Sequence, residues 1–293
     1  MNFRMIRHII GWLLLFECVF LAVPALTAVV YRERVVVYYL GAMALCGLLG
    51  WLCIRRKPPV TALYAREGFV IVAMSWILLS LMGALPLWLS REIPSFVDAL
   101  FETVSGFTTT GASILPKVER LSHAALIWRS FTHWVGGMGV LVFIMAFVPL
   151  SGGRNMHIMK AESPGPSVSK LVPRVRTTAM ILYALYMALT VIEFIFLLCG
   201  RMSVFDALNT AFSTAGTGGF GVRNDGMAGY SNYLQTVVTV FMLLFSINFG
   251  CYYLLLLRRI REAFNAEVRV FLLIVAAAVA VITTEWRDQF RYR

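Results

Sequence analysis

Seven stretches of this chain are apolar for long enough to dictate what it can become. They are Ile9–Val30, Val35–Ile54, Gly68–Ser90, Ser122–Leu150, Thr177–Cys199, Asn232–Leu257 and Val270–Thr284. A helix needs about 20 mostly apolar residues to cross a bilayer. The last run is short for that task. The first is too long, and lacks the small-residue cleavage site, for a plain signal peptide. Inside hydrocarbon every backbone amide needs an internal partner, so such runs fold as helices. The expected class is an all-α integral membrane protein with about seven transmembrane helices. Composition agrees: 59% of the 293 residues are hydrophobic and 14% charged, against nearly half and a quarter in soluble domains. A disordered chain is excluded and a soluble enzyme is a poor fit.

Two less apolar segments interrupt the pattern. Residues 95–111 read SFVDALFETVSGFTTTG, and residues 203–219 read SVFDALNTAFSTAGTGG. Without a gap they match at Ser95/Ser203, Asp98/Asp206, Ala99/Ala207, Leu100/Leu208, Ser105/Ser213, Thr109/Thr217 and Gly111/Gly219. An apolar run precedes and follows each segment. The unit is span, short segment, span, and it occurs twice, as in many transport architectures.

Each segment opens with S-x-x-D, where the serine can cap a helix. The helix should run to Ser105 or Ser213 and stop at the Thr/Gly stretch. Three turns cover about half the hydrocarbon thickness, so each segment is expected to enter, stop midway and return extended. A helix C-terminus is the negative end of its dipole and favours a cation. Carbonyls of a Thr/Gly strand can replace the hydration shell of an alkali cation. Thr108, Thr109, Thr110 and Gly111 suit this role, as do Thr217, Gly218 and Gly219.

These residues carry a family resemblance. The run FETVSGFTTTGAS, Phe101 to Ser113, resembles the first pore loop of bacterial Trk-type potassium uptake subunits, of the Trk/Ktr/HKT family. REGFVIV from Arg66, WRSFTHWVGGMG from Trp128, KAESPGP from Lys160, Pro173 with Arg174, and the run Asp206 to Phe220 are similar too. The resemblance implies a pore of four span–pore-helix–span repeats, some members carrying two extra helices in front. Ile9–Val30 and Val35–Ile54 would be those two. It places filter positions on Thr109, Thr110, Thr217 and Gly218, with Gly111 and Gly219 as filter glycines. Potassium is then the transported ion, with no organic cofactor. The implied partners are a peripheral cytosolic nucleotide-binding subunit and a second copy of the chain.

On this reading residues 1–65 hold the two extra helices. Residues 66–173 form the first repeat and a cytosolic linker, 174–262 the second repeat, and 263–293 the first helix of a third. The rest of repeat three and all of repeat four are missing from the expected pattern. The tail Glu285–Arg293 does not match the family's continuation. The expectation is the N-terminal half of a potassium uptake pore in the bacterial inner membrane. A complementary C-terminal half would complete it. The alternative is a truncated, non-conducting membrane subunit or pseudogene product that needs a complementary chain. No nucleophile–base pair, phosphate loop or metal spacing points to an enzyme.

Glu17 and Glu193 sit in spans, where a carboxylate is a functional candidate or is hydrogen-bonded between helices. His133 reads as a packed residue. Gly136, Gly137 and Gly139 read as a close-packing patch. Asn248 could bond a neighbouring helix or face the pore. Arg129 and Arg223 read as interfacial, snorkelling side chains. The polar segment Gly152–Pro173 reads as a linker. The five cysteines read as small buried hydrophobes. The charge of +11 could suggest nucleic acid, but its distribution argues otherwise. With the N-terminus in the cytosol, the bases collect in cytosolic loops, as the positive-inside rule expects. Both Thr/Gly loops then lie outside.

Overall fold

A computed structural model describes residues 2–56, 65–139 and 175–291. Among them there are only helices and connecting segments, with no strand. The linker 152–173 and the end of the Ser122–Leu150 run lie outside the described residues. The chain divides into two compact units, Met1–Ser246 and Ile247–Arg293.

The first unit opens with α1 (Phe3–Phe20) and α2 (Ala22–Val30), which follow each other almost without a break. Pro24 falls in the first turn of α2, where its missing N–H costs nothing. α3 (Val36–Ile54) packs closely on α1. A Cβ on Gly11 would lie 2.7 Å from Cys53 Cβ, and one on Gly50 2.9 Å from the Gly11 carbonyl. In lipid, where apolar side chains gain little by leaving the solvent, such close backbone approach is what binds helices. The outward side chains Val37, Leu40, Leu48 and Trp51 are exposed and apolar.

α4 (Ala65–Leu89) leads into α5 (Phe96–Phe107), and α6 (His123–Gly137) follows. α7 (Val175–Cys199), α8 (Val204–Ala215) and α9 (Asn232–Ser246) complete the unit. The first three and the last three have the same long–short–long order, so the internal repeat is visible in the helices. It extends to the turns. α4 ends with Arg91 at φ +63°, and α7 with Arg201 at φ +63°. In both turns an amide two or one residues later reaches back, Ile93 to Leu87 and Met202 to Leu197.

The second unit holds α10 (Phe249–Leu256), the single turn α11 (Ile260–Ala263) and α12 (Ala266–Arg291). Among the described residues five helices are long and apolar enough to cross a membrane, or six if the pair Asn232–Ser246 and Phe249–Leu256 counts as one span. The expected span Asn232–Leu257 is therefore broken. The reason is Asn248, whose Oδ1 accepts from the Gly250 N–H at 2.9 Å and caps α10. Asn248 starts a helix, a role the sequence reading did not assign it. Among the cysteines, Cys46 and Cys251 are buried as expected, whereas Cys199 is exposed.

Candidate functional site

The two Thr/Gly loops are built alike from the helix start onwards. Ser95 Oγ accepts from the Asp98 N–H at 3.3 Å, and Ser203 Oγ from the Asp206 N–H at 3.0 Å. Both are N-caps that satisfy an otherwise orphaned amide. The helices run two residues beyond Ser105 and Ser213, to Phe107 and Ala215. Both then close with paired hydrogen bonds. Thr109 N–H donates to the Gly106 carbonyl and Thr110 N–H to Ser105; Thr217 donates to Thr214 and Gly218 to Ser213. This is a Schellman closure, which usually places glycine at its left-handed position. Here Thr109 and Thr217 both occupy it, at φ +55°. A β-branched residue there is an uncommon and costly choice. Gly111 and Gly219 follow at φ +75° and +81°.

The loops meet. A Cβ on Gly111 would overlap the Gly218 carbonyl oxygen. The expected filter residues Thr109, Thr110, Gly111, Thr217, Gly218 and Gly219 thus belong to two touching loops.

α6 is the wall between the two short helices. A Cβ on Gly136 would run into the Phe107 carbonyl, and one on Gly137 would lie 3.0 Å from Gly216 Cα. The close-packing reading of these two glycines holds, while Gly139 is a turn residue at φ +73°. His133 is buried on the same helix. Its ring stacks on Phe220 at 4.1 Å and its Nδ1 lies 3.3 Å from Ser213 Oγ. The ring also fills the space that a side chain on Gly218 would need. Tyr186 of α7 donates to the Trp134 carbonyl at 2.8 Å, and Trp134 Nε1 donates to Thr190 at 3.2 Å. These bonds fasten α6 to the second repeat.

Arg129 overturns its sequence reading. It is not an interfacial, snorkelling side chain. Its side chain is 3% exposed and pairs with Glu102, which is fully buried, at 2.6 Å. Arg129 Nε also donates to Glu102 Oε1 at 2.7 Å. Glu102 further accepts from Ser113 Oγ at 2.9 Å and from the Ile114 N–H at 3.2 Å. Glu102 went unremarked in the sequence, though two opposite charges within apolar surroundings were a signal. Removing one partner of such a buried pair costs about 3–5 kcal/mol.

The segments that follow the two Thr/Gly loops are tied as well. Asn224 Oδ1 accepts from the Val118 N–H at 2.8 Å, its Nδ2 donates to the Pro116 carbonyl at 2.8 Å, and its N–H donates to Glu119 at 2.6 Å. That last bond holds the Glu119 carboxyl below the usual carboxylate range. Arg223 lies over the Tyr230 ring at 4.7 Å. Tyr230 donates to Asp206 at 3.1 Å, and burial beside that carboxylate pushes its phenol up to about 12. At the start of α6, Glu33 accepts from the His123 and Ala124 amides at 2.8 and 3.1 Å.

The embedded carboxylates lie apart in sequence and in the helices they join. Glu17 of α1 is buried beside Cys46 of α3, and Glu193 of α7 is buried beside Thr214 of α8.

The family model described as "TrkH: Cation transport protein" matches residues 32–286. The chain belongs to the TrkH cation transport family. The Trk system potassium uptake protein TrkH of Salmonella typhimurium is 35% identical over 294 residues, covering 97% of this chain and 60% of that protein. TrkG of Escherichia coli strain K12 is 32% identical over 286 residues, covering 96% and 59%. The crystal structure of the potassium transporter TrkH from Vibrio parahaemolyticus is similar, with a TM-score of 0.74 and 31% identity. It covers 86% of this chain and 52% of that one. The chain thus spans about 60% of the length of the curated relatives it matches. The TrkH family is one of transporters, which agrees with the expectation that the chain is not an enzyme.

Proposed function

We propose that this TrkH-family chain takes part in potassium uptake across a bacterial inner membrane, through backbone carbonyls of its two Thr/Gly loops. The observation that carries this reading is the matched backbone of the loops. A capped short helix, a left-handed Thr and a positive-φ Gly occur twice and face each other. Carbonyls held this way can offset the loss of an alkali cation's water shell, and the adjacent helix C-termini favour positive charge.

Thr109, Thr110, Gly111, Thr217, Gly218 and Gly219 are the proposed coordinating positions. α5 and α8 act as pore helices of two re-entrant loops opening on the outer side, and the N-terminus is cytosolic. Residues 66–173 and 174–262 each supply one repeat, after two leading helices within 1–65, and 263–293 begin a third. Two loops cannot encircle an ion. Two more loops from a complementary C-terminal half, or from a second copy, complete the ring. A peripheral cytosolic nucleotide-binding subunit is the further proposed partner.

The test is growth at low potassium in bacteria that lack their own uptake. The chain is expressed alone and together with the remaining C-terminal portion of the Vibrio parahaemolyticus TrkH. Rescue is expected with the complement and should vanish with Gly111→Leu. Rescue by the chain alone would favour pairing of two copies. Full membrane accumulation without any rescue would refute the uptake reading in favour of a non-conducting subunit.

A further inference from the structure

The Arg129–Glu102 pair reaches further than its own repeat. Glu102 sits on α5 and Arg129 on α6, and both are buried. On the first loop's side the pair gathers Ser113 and Ile114, just past Gly111, by three contacts. Ser113 Oγ and the Ile114 N–H bond Glu102, and Arg129 bonds Ser113 Oγ at 3.2 Å. On the second loop's side the guanidinium lies over the Phe220 ring at 4.3 Å and donates to the Gly221 carbonyl at 3.5 Å. Phe220 and Gly221 follow Gly219 directly.

One planar cation therefore touches the residues just after both filter glycines. Among the described residues the second repeat shows no such pair. Thr210 and Val237 stand at the positions 108 residues after Glu102 and Arg129. A single brace serves two loops.

We infer that Arg129 and Glu102 are positioning residues that fix the spacing of the two loops, and through it the discrimination between cations of different size. The inference rests on the potassium reading only for its last step. Coordination by carbonyls distinguishes ions through the number, field and placement of the oxygens. Loops free to drift inward would accept a smaller ion. The guanidinium suits the task because it offers a flat fork of donors and a face that stacks on an aromatic ring, which an ammonium does not.

Two variants separate this role from folding. Arg129→Lys keeps the buried charge opposite Glu102 but cannot span both loops. The double variant E102Q/R129M removes both charges, so no unpaired ion stays buried. Hydrogen exchange on the full chain purified in detergent reads the brace directly. Both variants should fold, with the amides of α1 and α3 protected as in the parent. R129K should lose protection at 217–224 and retain it at 112–115. The double variant should lose it at both. Unchanged exchange at 217–224 in both variants would overturn the brace, and so would equal loosening of α1 and α3.

The second readout is rubidium uptake against competing sodium, in cells also expressing the Vibrio C-terminal portion. Sodium should compete better by on the order of tenfold in R129K, since displacement of positioning groups by part of an ångström has effects of this size. Unchanged competition alongside lost protection would remove the selectivity step and leave the brace. If the parent chain moves no rubidium, the potassium reading fails while the exchange result still decides the brace.

Discussion

Gly111 and Gly219 hold matching places in two loops and nearly the same φ, +75° and +81°, yet their surroundings are opposite. Gly111 is pressed against the Gly218 carbonyl, whereas around Gly219 the nearest atom to an added Cβ would be Met242 Cε at 3.9 Å. The loops are copies in backbone and unlike in packing. Glu102 bonds only the segment after the first loop, whereas the ring of His133 packs on the second, against Gly218 and Phe220. A repeated sequence thus reproduces what its own residues dictate locally. It does not reproduce what neighbouring elements supply.

The sharpest way to break this comparison is to put the same methyl group on both glycines. Gly219→Ala pays only for a left-handed alanine, about 1–2 kcal/mol. Gly111→Ala meets that cost and drives a methyl into the Gly218 carbonyl, so one loop must move. Overpacking of this kind adds about 1–3 kcal/mol or more. Thermal unfolding of the purified chain should therefore rank G111A well below G219A. Equal losses would mean that the loops do not touch at Gly111 and Gly218.

Removing the two helix caps should sharpen the likeness instead. Ser95→Ala and Ser203→Ala each delete one side-chain acceptor at a helix start, which costs about 1 kcal/mol. Nothing in either cap depends on the other repeat, so the two losses should agree within a few tenths of a kcal/mol. Unfolding midpoints measured side by side check this. A large difference would show that one short helix is held mainly by its neighbours.

The same division between local and distant causes explains what could be read in the sequence. The caps at Ser95 and Ser203, the two short helices and their stop at Thr/Gly follow from residues within a turn of one another. All of them were legible, and the match between loops exposed the repeat. The Arg129–Glu102 pair joins residues 27 positions apart on different elements. Reading Arg129 by itself as an interfacial side chain hides that contact. The helix break at Asn248 was not legible for another reason. Hydropathy averaged over a span dilutes a single capping asparagine among Phe245, Ile247, Phe249 and their apolar neighbours. The touch between Gly111 and Gly218 depends on how α5, α6 and α8 stack, which no local pattern encodes.

Thr109 and Thr217 give the smallest expected effect and the most informative one. Both are β-branched at φ +55°, where glycine would be unstrained. Replacing Thr217 with glycine relieves about 1–2 kcal/mol of left-handed strain. Part of the gain is lost, because glycine gives up about 0.5–1 kcal/mol more backbone entropy on folding. T217G should therefore stabilise slightly, by a few tenths to about 1 kcal/mol. T109G should gain less. Thr109 Cγ2 lies against Gly136, 3.0 Å from where a Cβ would stand there, so its removal also empties a contact between the loop and α6. Strain kept at both copies, where relief is one substitution away, is what a site selected for carbonyl placement would retain. Accordingly T217G should melt higher than the parent and yet support slower uptake in the complemented cells. A variant both more stable and fully active would show that the threonines are tolerated at these positions and not required by them.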